Sequence, residues 1–360
     1  MSETDRPSVV EAAGDITADW MTAALRSGGF EADVADLSFS PIGTGQMADS
    51  FRFELGYASS AKGAPNSVVV KLQSASEISR AAGASGGYDS EVRFYTELEP
   101  TLTIRTPACH CAIASDDCSL FALVLEDLAP AEQGNQIDGC SVDRAREAVV
   151  NLAGLHGPRW CDPSLHDLAW LRRASPESAA GLQAFLVNAT EGFIERYGSR
   201  VPSQDASVLR AFAANAASWQ SRLRGRFSAI HGDYRLDNLL FATSEGGYPV
   251  ATVDWQTLEI GLPGRDLAYF LGNSLTADDR RKCERELVGS YHEALVAQGV
   301  AGHSADECFE DYRYGQFQGP LVTVLGAMVV KRTDRGDEMF MAMSSRACEA
   351  IRDLGSLDLL

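Results

Sequence analysis

The spacing of apolar residues changes along this chain, and the change divides it into two stretches of different character. Between Asp15 and Gly28, Ile16, Trp20, Ala24 and Leu25 fall on one helical face, which predicts an amphipathic helix stopped by Gly28-Gly29. From Phe39 to Leu55 the period becomes two around a glycine-containing turn, and Ser67 to Leu72 is the β-branched run S-V-V-V-K-L. Both predict antiparallel strands, with the Ala/Ser/Gly/Pro-rich stretch Tyr57 to Asn66 as a loop at a hairpin tip. Helical spacing returns at Glu91 to Leu98, and Leu120 to Leu125 reads as a further strand.

The polar, glycine-containing stretch Pro130 to Ser141 is the natural linker. Beyond it, long helical patterns dominate: Ala145 to Leu155, Ala179 to Tyr197, Ser207 to Arg224, Ala277 to Gln298 and Asp306 to Val330. One hairpin interrupts them, formed by Leu239 to Ala242 and Pro249 to Val253 around S-E-G-G-Y. The expected division is a mixed sheet-and-helix unit over residues 1–128 and a helical unit over 129–360. No internal repeat or low-complexity segment is visible.

Composition narrows the function classes. With 45% hydrophobic and 22% charged residues, the chain has the make-up of a soluble globular protein and not of a disordered one. A formal charge of -19 repels nucleic acid and anionic lipid, so neither is an expected partner. The start M-S-E-T-D-R-P lacks the basic-then-apolar pattern of a secretory signal, which makes a cytoplasmic location the expectation. The longest charge-free apolar-rich stretch, Gly315 to Val330, contains Gln316, Gln318 and Pro320 and is shorter than the roughly 20 residues of a bilayer span. It reads as a buried helix. Eight cysteines in such a chain read as reduced thiols, and the spacing of Cys109, His110, Cys111 and Cys118 does not fit a zinc site.

The sharpest chemical signal is H-G-D-Y-R-L-D-N at His231 to Asn238, running into the strand at Leu239 and followed after the hairpin by V-D-W-Q at Val253 to Gln256. An Asp, an Asn five residues on, a hairpin and a second Asp at a strand end form the H-x-D-x-x-x-x-N plus D-x-x arrangement of kinase-like enzymes. Phosphoryl transfer needs metal ions held against a triphosphate, charge neutralisation, and a carboxylate near the attacking hydroxyl. Asp233 is the candidate base. Asn238 and Asp254 are the candidate oxygen ligands of Mg²⁺, and Arg235 is the candidate partner of the γ-phosphate. The alternative for each residue singly is a turn or a strand cap.

On these phrases, together with G-R-D-L-A-Y-F-L, the chain resembles the aminoglycoside phosphotransferase and choline kinase superfamily, and within it the ecdysteroid-kinase-like branch. The resemblance covers most of the chain. It implies an α+β, protein-kinase-like two-lobed fold with a small β-rich N-lobe carrying one key helix, a large mostly helical C-lobe, and ATP with Mg²⁺ as cofactors. It also implies an ion pair between Lys71 and Glu91 that points the lysine at the α- and β-phosphates. Adenine would meet a hinge at Glu126 and Leu128. Gly43 and Gly45 would belong to a phosphate-covering loop, although Ala48 stands where a third glycine is usual and an ordinary hairpin turn is the alternative. Asp266 would anchor the catalytic loop, and His156 reads as a packed helix-end residue.

Gln256 replaces the glycine that lets regulated protein kinases flip this segment, and no long activation segment follows Asp254. Both argue against a protein kinase. The expected activity is therefore ATP-dependent phosphorylation of a small-molecule hydroxyl, on an amino sugar, an amino alcohol or a lipophilic alcohol. The alternative is a nucleotide-binding pseudokinase that serves as scaffold or sensor.

Overall fold

The computed structural model describes residues 6–43, 47–59 and 61–360. The chain forms two compact units. One comprises Met1–Thr101, Thr106–Ala129 and the three residues Asp254–Gln256; the other comprises Leu102–Arg105, Pro130–Val253 and Thr257–Leu360.

The first unit begins with α1 (Ala18–Ser27), whose N-terminus is capped by the Thr17 hydroxyl accepting from the Trp20 amide at 3.2 Å. Strands β1 (Val34–Ile42), β2 (Ala48–Tyr57) and β3 (Ser67–Gln73) follow, then α2 (Glu77–Ala82), α3 (Tyr88–Arg93), β4 (Cys109–Ala114) and β5 (Phe121–Glu126). The strands make one antiparallel sheet in the order β1-β2-β3-β5-β4. Alternation along the central strand assigns its two faces. Val68, Val70 and Leu72 join Phe53, Ala122 and Val124 in a core closed by Trp20, Met21 and Leu25 of α1. Lys71, between two of those positions, therefore projects from the other face.

Two elements here are absent from the sequence reading: β4 and α2. Helix α2 has only six residues and ends in the run G-A-S-G-G, which reads as loop. The chain kinks at Ser85-Gly86, where Gly86 takes φ +122°, and α3 then starts at Tyr88, ahead of the predicted start at Glu91. Glu91 is thus inside the helix, one turn from its N-terminus.

The second unit runs through β6 (Glu132–Gln133), α4 (Val142–His156), β7 (Arg172–Arg173), α5 (Pro176–Tyr197), α6 (Ser203–Ser221), β8 (Ser228–Ile230), β9 (Leu239–Thr243), β10 (Gly246–Thr252) and β11 (Glu259–Gly261). Five helices complete it: α7 (Gly264–Ser274), α8 (Ala277–Ala297), α9 (Ala305–Gly315), α10 (Gln318–Val329) and α11 (Asp334–Asp353). Two small sheets are embedded, β10-β9-β6 and β7-β11-β8. The stretch expected as linker contributes β6, which pairs with Leu240 and Phe241 of β9. The main core is built from α5, α6, α7, α10 and α11 around Phe193, Phe212, Trp219, Tyr269, Phe317 and Met343.

The single helix expected over 306–330 is two, broken at Gln316-Phe317. Pro320 has no amide hydrogen to donate, so it is accommodated in the first turn of a new helix and not in the interior of a long one. Helix α7 is buried on every side. Among the described residues, no helix is long and apolar enough to cross a membrane.

Candidate active site

In the first unit, the face of β3 away from α1 presents Lys71. Its Nζ donates to Glu91 Oε1 at 2.7 Å and to Asp254 Oδ1 at 3.1 Å. Burial works against the ammonium, yet the Asp254 and Glu91 carboxylates outweigh it and raise the Lys71 pKa, so the lysine is held charged. Burial pushes the Glu91 carboxyl up, opposed by the Lys71 charge. Asp254 has the left-handed backbone conformation, φ +70°, unusual for a residue with a side chain. Such strain is concentrated where a side chain must be aimed.

The two residues after Asp254 hold it there. The Trp255 ring is fully buried and stacks on Phe94 at 3.7 Å between centroids, and its Nε1 donates to Thr106 Oγ1 at 3.2 Å. The Trp255 carbonyl accepts from Ser90 Oγ at 3.1 Å, and its amide donates to Glu91 Oε1 at 3.3 Å. Gln256 Nε2 donates to the other carboxylate oxygen of Glu91 at 3.0 Å.

In the second unit, the loop from β8 into a short helical turn at Leu236–Asn238 carries Asp233. Its carboxylate is surrounded by donors. Tyr269 of α7 donates its hydroxyl to Oδ1 at 2.8 Å, while Arg235 Nε and Asn238 Nδ2 each donate to Oδ2 at 3.1 Å. Burial first, then the Asp233 charge, push the Tyr269 hydroxyl well above its ordinary range, so it stays a neutral donor. Arg235 is raised too, because the charge of Asp233, with lesser help from Tyr269 and Asp237, overcomes the cost of burial. Its Nη1 also meets Asp237 Oδ2 at 3.1 Å and Met339 Sδ at 2.9 Å. Arg335 of α11 approaches the same Asp237 carboxylate, at 3.2 and 3.3 Å.

The loop is anchored from beneath by Asp266 near the start of α7. Its two oxygens accept the amides of His231 at 2.6 Å and Gly232 at 2.9 Å. His156 Nε2 lies 3.3 Å from Oδ2, and His156 Nδ1 lies 2.7 Å from the Tyr291 hydroxyl, so this histidine is packed and fully buried. Burial alone would push the Asp266 carboxyl up; the contacts from His156 and His231 reverse this and leave it below the ordinary carboxylate range. Gly232 is required by the turn. It takes φ +80°, and a Cβ there would stand 2.7 Å from the Thr257 carbonyl oxygen.

The remaining candidates have plainer surroundings. Gly43 follows β1 at φ +73°, with open space among the described residues where a Cβ would be; Gly45 lies outside the described residues. Glu126 closes β5, its amide donating to the Ala108 carbonyl at 2.8 Å and its Oε2 accepting from the Ala108 amide at 3.0 Å. Leu128 follows the strand, half-buried. All eight cysteines are free thiols. Sequence reasoning gave no role to Tyr269, Asp237, Arg335 or Trp255. The first was present in the quoted phrase G-R-D-L-A-Y, three residues after Asp266, which puts it one helical turn further along α7.

The donor set suits a hard cation. The Asn238 amide nitrogen is committed to Asp233, at its carbonyl (2.8 Å) and its carboxylate, which leaves the amide oxygen as the end able to ligate. The Asp254 side chain is 38% exposed. Among the described residues, no group of three or more His, Cys, Asp or Glu side chains could hold a metal ion. A cation held by either residue would need phosphate or water oxygens to complete its shell, as Mg²⁺ ordinarily does.

The family model for APH, described as the phosphotransferase enzyme family, matches residues 40–305. No curated protein matches the chain. Among solved structures, choline kinase from Cryptosporidium parvum Iowa II is similar at 9% identity with a TM-score of 0.58, over 90% of this chain and 92% of that one. The GDP complex of wild-type aminoglycoside 2'-phosphotransferase-IIIa is similar at 13% identity and TM-score 0.52, over 88% of this chain and 94% of that one. The GDP and kanamycin complex of APH(2")-IIia gives 12% identity and 0.51, over 92% and 98%. At such identities the likeness is one of fold: α+β and kinase-like, with a β-sheet N-terminal region and a helical C-terminal part.

Proposed function

This chain belongs to the phosphotransferase enzyme family, and from that premise we infer that it moves the γ-phosphate of ATP to a hydroxyl of a small molecule. The observation that carries the reading is the surroundings of Asp233: a half-buried loop carboxylate held by Tyr269, Arg235 and Asn238 and fixed through its backbone neighbours by Asp266.

In this reading Asp233 accepts the acceptor's hydroxyl proton as the oxygen attacks. Lys71, kept charged between Glu91 and Asp254, neutralises the α- and β-phosphates, and Arg235, beside the base, neutralises the γ-phosphate. Asn238 and Asp254 are the protein ligands of Mg²⁺, which when bound screens the triphosphate and favours departure of the nucleoside diphosphate. Gly43, Gly45 and the backbone at Glu126 and Leu128 are the proposed contacts of the phosphates and the base. Residues 1–128 are the proposed nucleotide-binding part and 129–360 the part that carries the catalytic loop and the acceptor site.

For the acceptor, local charge supports an uncharged, lipophilic alcohol over an amino sugar or amino alcohol. The net charge of -19 would suit a cation, but the carboxylates on and beside the loop are already paired. Asp237 has Arg235 and Arg335; on α11, Asp337 has Arg332, and Glu338 has Arg200. An amine entering there would compete with guanidinium groups already paired to these carboxylates, Arg235 being the most buried of them. This agrees with the ecdysteroid-kinase-like resemblance of the sequence motifs.

The test is phosphate transfer from labelled ATP, and from GTP, with Mg²⁺ and a panel of lipophilic alcohols, aminoglycosides, choline and ethanolamine. Asp233→Ala should lower turnover by about 10³-fold while nucleotide binding stays near wild type. Full retained turnover would remove Asp233 as the base. Absence of both transfer and slow Mg²⁺-dependent ATP hydrolysis would favour the pseudokinase alternative, although Lys71, Glu91, Asp233, Asn238 and Asp254 are all retained.

A further inference from the structure

Glu91 accepts three hydrogen bonds, and only one of its three partners is the lysine it pairs with. Oε1 accepts from Lys71 and from the Trp255 amide, while Oε2 accepts from the side-chain amide of Gln256. Two of these three donors come from the residues immediately after Asp254. The carboxylate is 1% exposed, so water does not compete for it. A buried carboxylate left with one oxygen unmatched would swing to satisfy it, and Lys71 would move with it.

Gln256 is placed in a way that packing alone does not explain. It is 3% exposed, and its Oε1 is buried without a hydrogen-bond partner among the described residues. Burying an unmatched amide oxygen is costly, and an apolar side chain of the same size would avoid that cost. What the amide contributes in return is its Nε2 donor to Glu91. Gln256 lies beside the residue before α3: a Cβ on Gly87 would meet the Gln256 Cβ at 3.4 Å, ordinary van der Waals contact. The Trp255 ring on Phe94 and the Ser90 hydroxyl on the Trp255 carbonyl fix the backbone from which Gln256 reaches.

We propose that Gln256 is a positioning residue for nucleotide phosphates: through its bond to Glu91 it locks Lys71 and the Asp254 segment into one arrangement before any nucleotide arrives. The inference rests on the nucleotide-binding reading above and adds to it a statement about regulation. A glycine at this position would leave the segment free to turn over; glutamine ties it to α3, so this chain is built without that switch. Gln256 acts only through Glu91 and Lys71, so its effect is confined to ligands that carry phosphates.

The experiment uses the full chain and two probes, a non-hydrolysable ATP analogue with Mg²⁺ and adenosine, titrated calorimetrically. Gln256→Leu keeps the side-chain bulk and removes the donor; Gln256→Gly removes both. Loss of one hydrogen bond to a buried charged group should weaken the triphosphate about tenfold in each variant and adenosine less than about twofold. Unchanged triphosphate affinity in Gln256→Leu would overturn the proposal. So would equal weakening of both probes, since a residue that only packs would act on the whole unit. Wild-type protein that binds neither probe would overturn the phosphotransferase reading itself, and this inference with it.

Discussion

Replacing Asp266 by asparagine changes one atom and reverses one hydrogen bond. In the wild type, both carboxylate oxygens accept from backbone amides, His231 at 2.6 Å and Gly232 at 2.9 Å, with full burial. Asparagine keeps one acceptor and turns the other end into a donor facing a backbone N–H. One charge-assisted bond, worth about 1.5–3 kcal/mol, is lost, and a buried amide is left unmatched at about 1–3 kcal/mol. After partial relaxation, a net loss of about 2–4 kcal/mol is expected, a large part of the roughly 5–15 kcal/mol that holds a protein folded. Urea denaturation should give a lower midpoint with an unchanged slope. Turnover should fall in the remaining folded protein, because His231 and Gly232 lead directly into Asp233. The pH dependence has a definite sign. The folded Asp266 pKa lies below its unfolded value, so the stabilisation is present above the unfolded pKa of about 3.9 and is lost as the pH falls through the folded one. The gap between wild type and variant should therefore be widest near neutrality and shrink in acid below about pH 4. A stability loss under about 0.5 kcal/mol with full turnover would refute the anchoring role.

Lys71→Met removes the cation between Glu91 and Asp254, and should cost somewhat less than the about 3–5 kcal/mol of a fully buried broken pair, because Asp254 is partly solvated. Adding Glu91→Gln should recover stability in the same urea titration without recovering turnover. Trp255→Ala empties the space beside Phe94 and should cost about 3–5 kcal/mol, read as a lower unfolding midpoint, with weaker binding of ATP–Mg²⁺. Tyr269→Phe removes one donor to Asp233 while keeping the ring; steady-state kinetics should show kcat reduced about tenfold, with nucleotide affinity within about twofold of wild type.

Much of the site was legible because its chemistry is local in sequence. The run from His231 to Asn238 is a single loop, so residue types at fixed spacing were enough to single out Asp233 and Asn238. Lys71 was legible through the resemblance, which implied its pairing with Glu91; the alternation of β3 then puts it on the face opposite Val68, Val70 and Leu72. Helix α11 shows the limit of the reading and not of the sequence: Met339, Met343, Ala347 and Ile351 recur every four residues and bury one face, yet the periodic analysis stopped at Val330. For helix α7, the phrase G-R-D-L-A-Y-F-L was singled out for its chemistry, while its burial on every side is a matter of tertiary packing.

By itself, then, the sequence determined many of the elements and the local motifs: which of the stretches named above alternate, which coil, and which loop carries Asp233. It could not determine pairings between residues far apart along the chain. That Tyr269 donates to Asp233, that Arg335 shares Asp237 with Arg235, and that Gln256 takes the second oxygen of Glu91 were decided by packing alone. The reason is energetic. A buried carboxylate must find donors within about 3 Å wherever the fold brings them, and nothing in the residue types reveals which donors those will be.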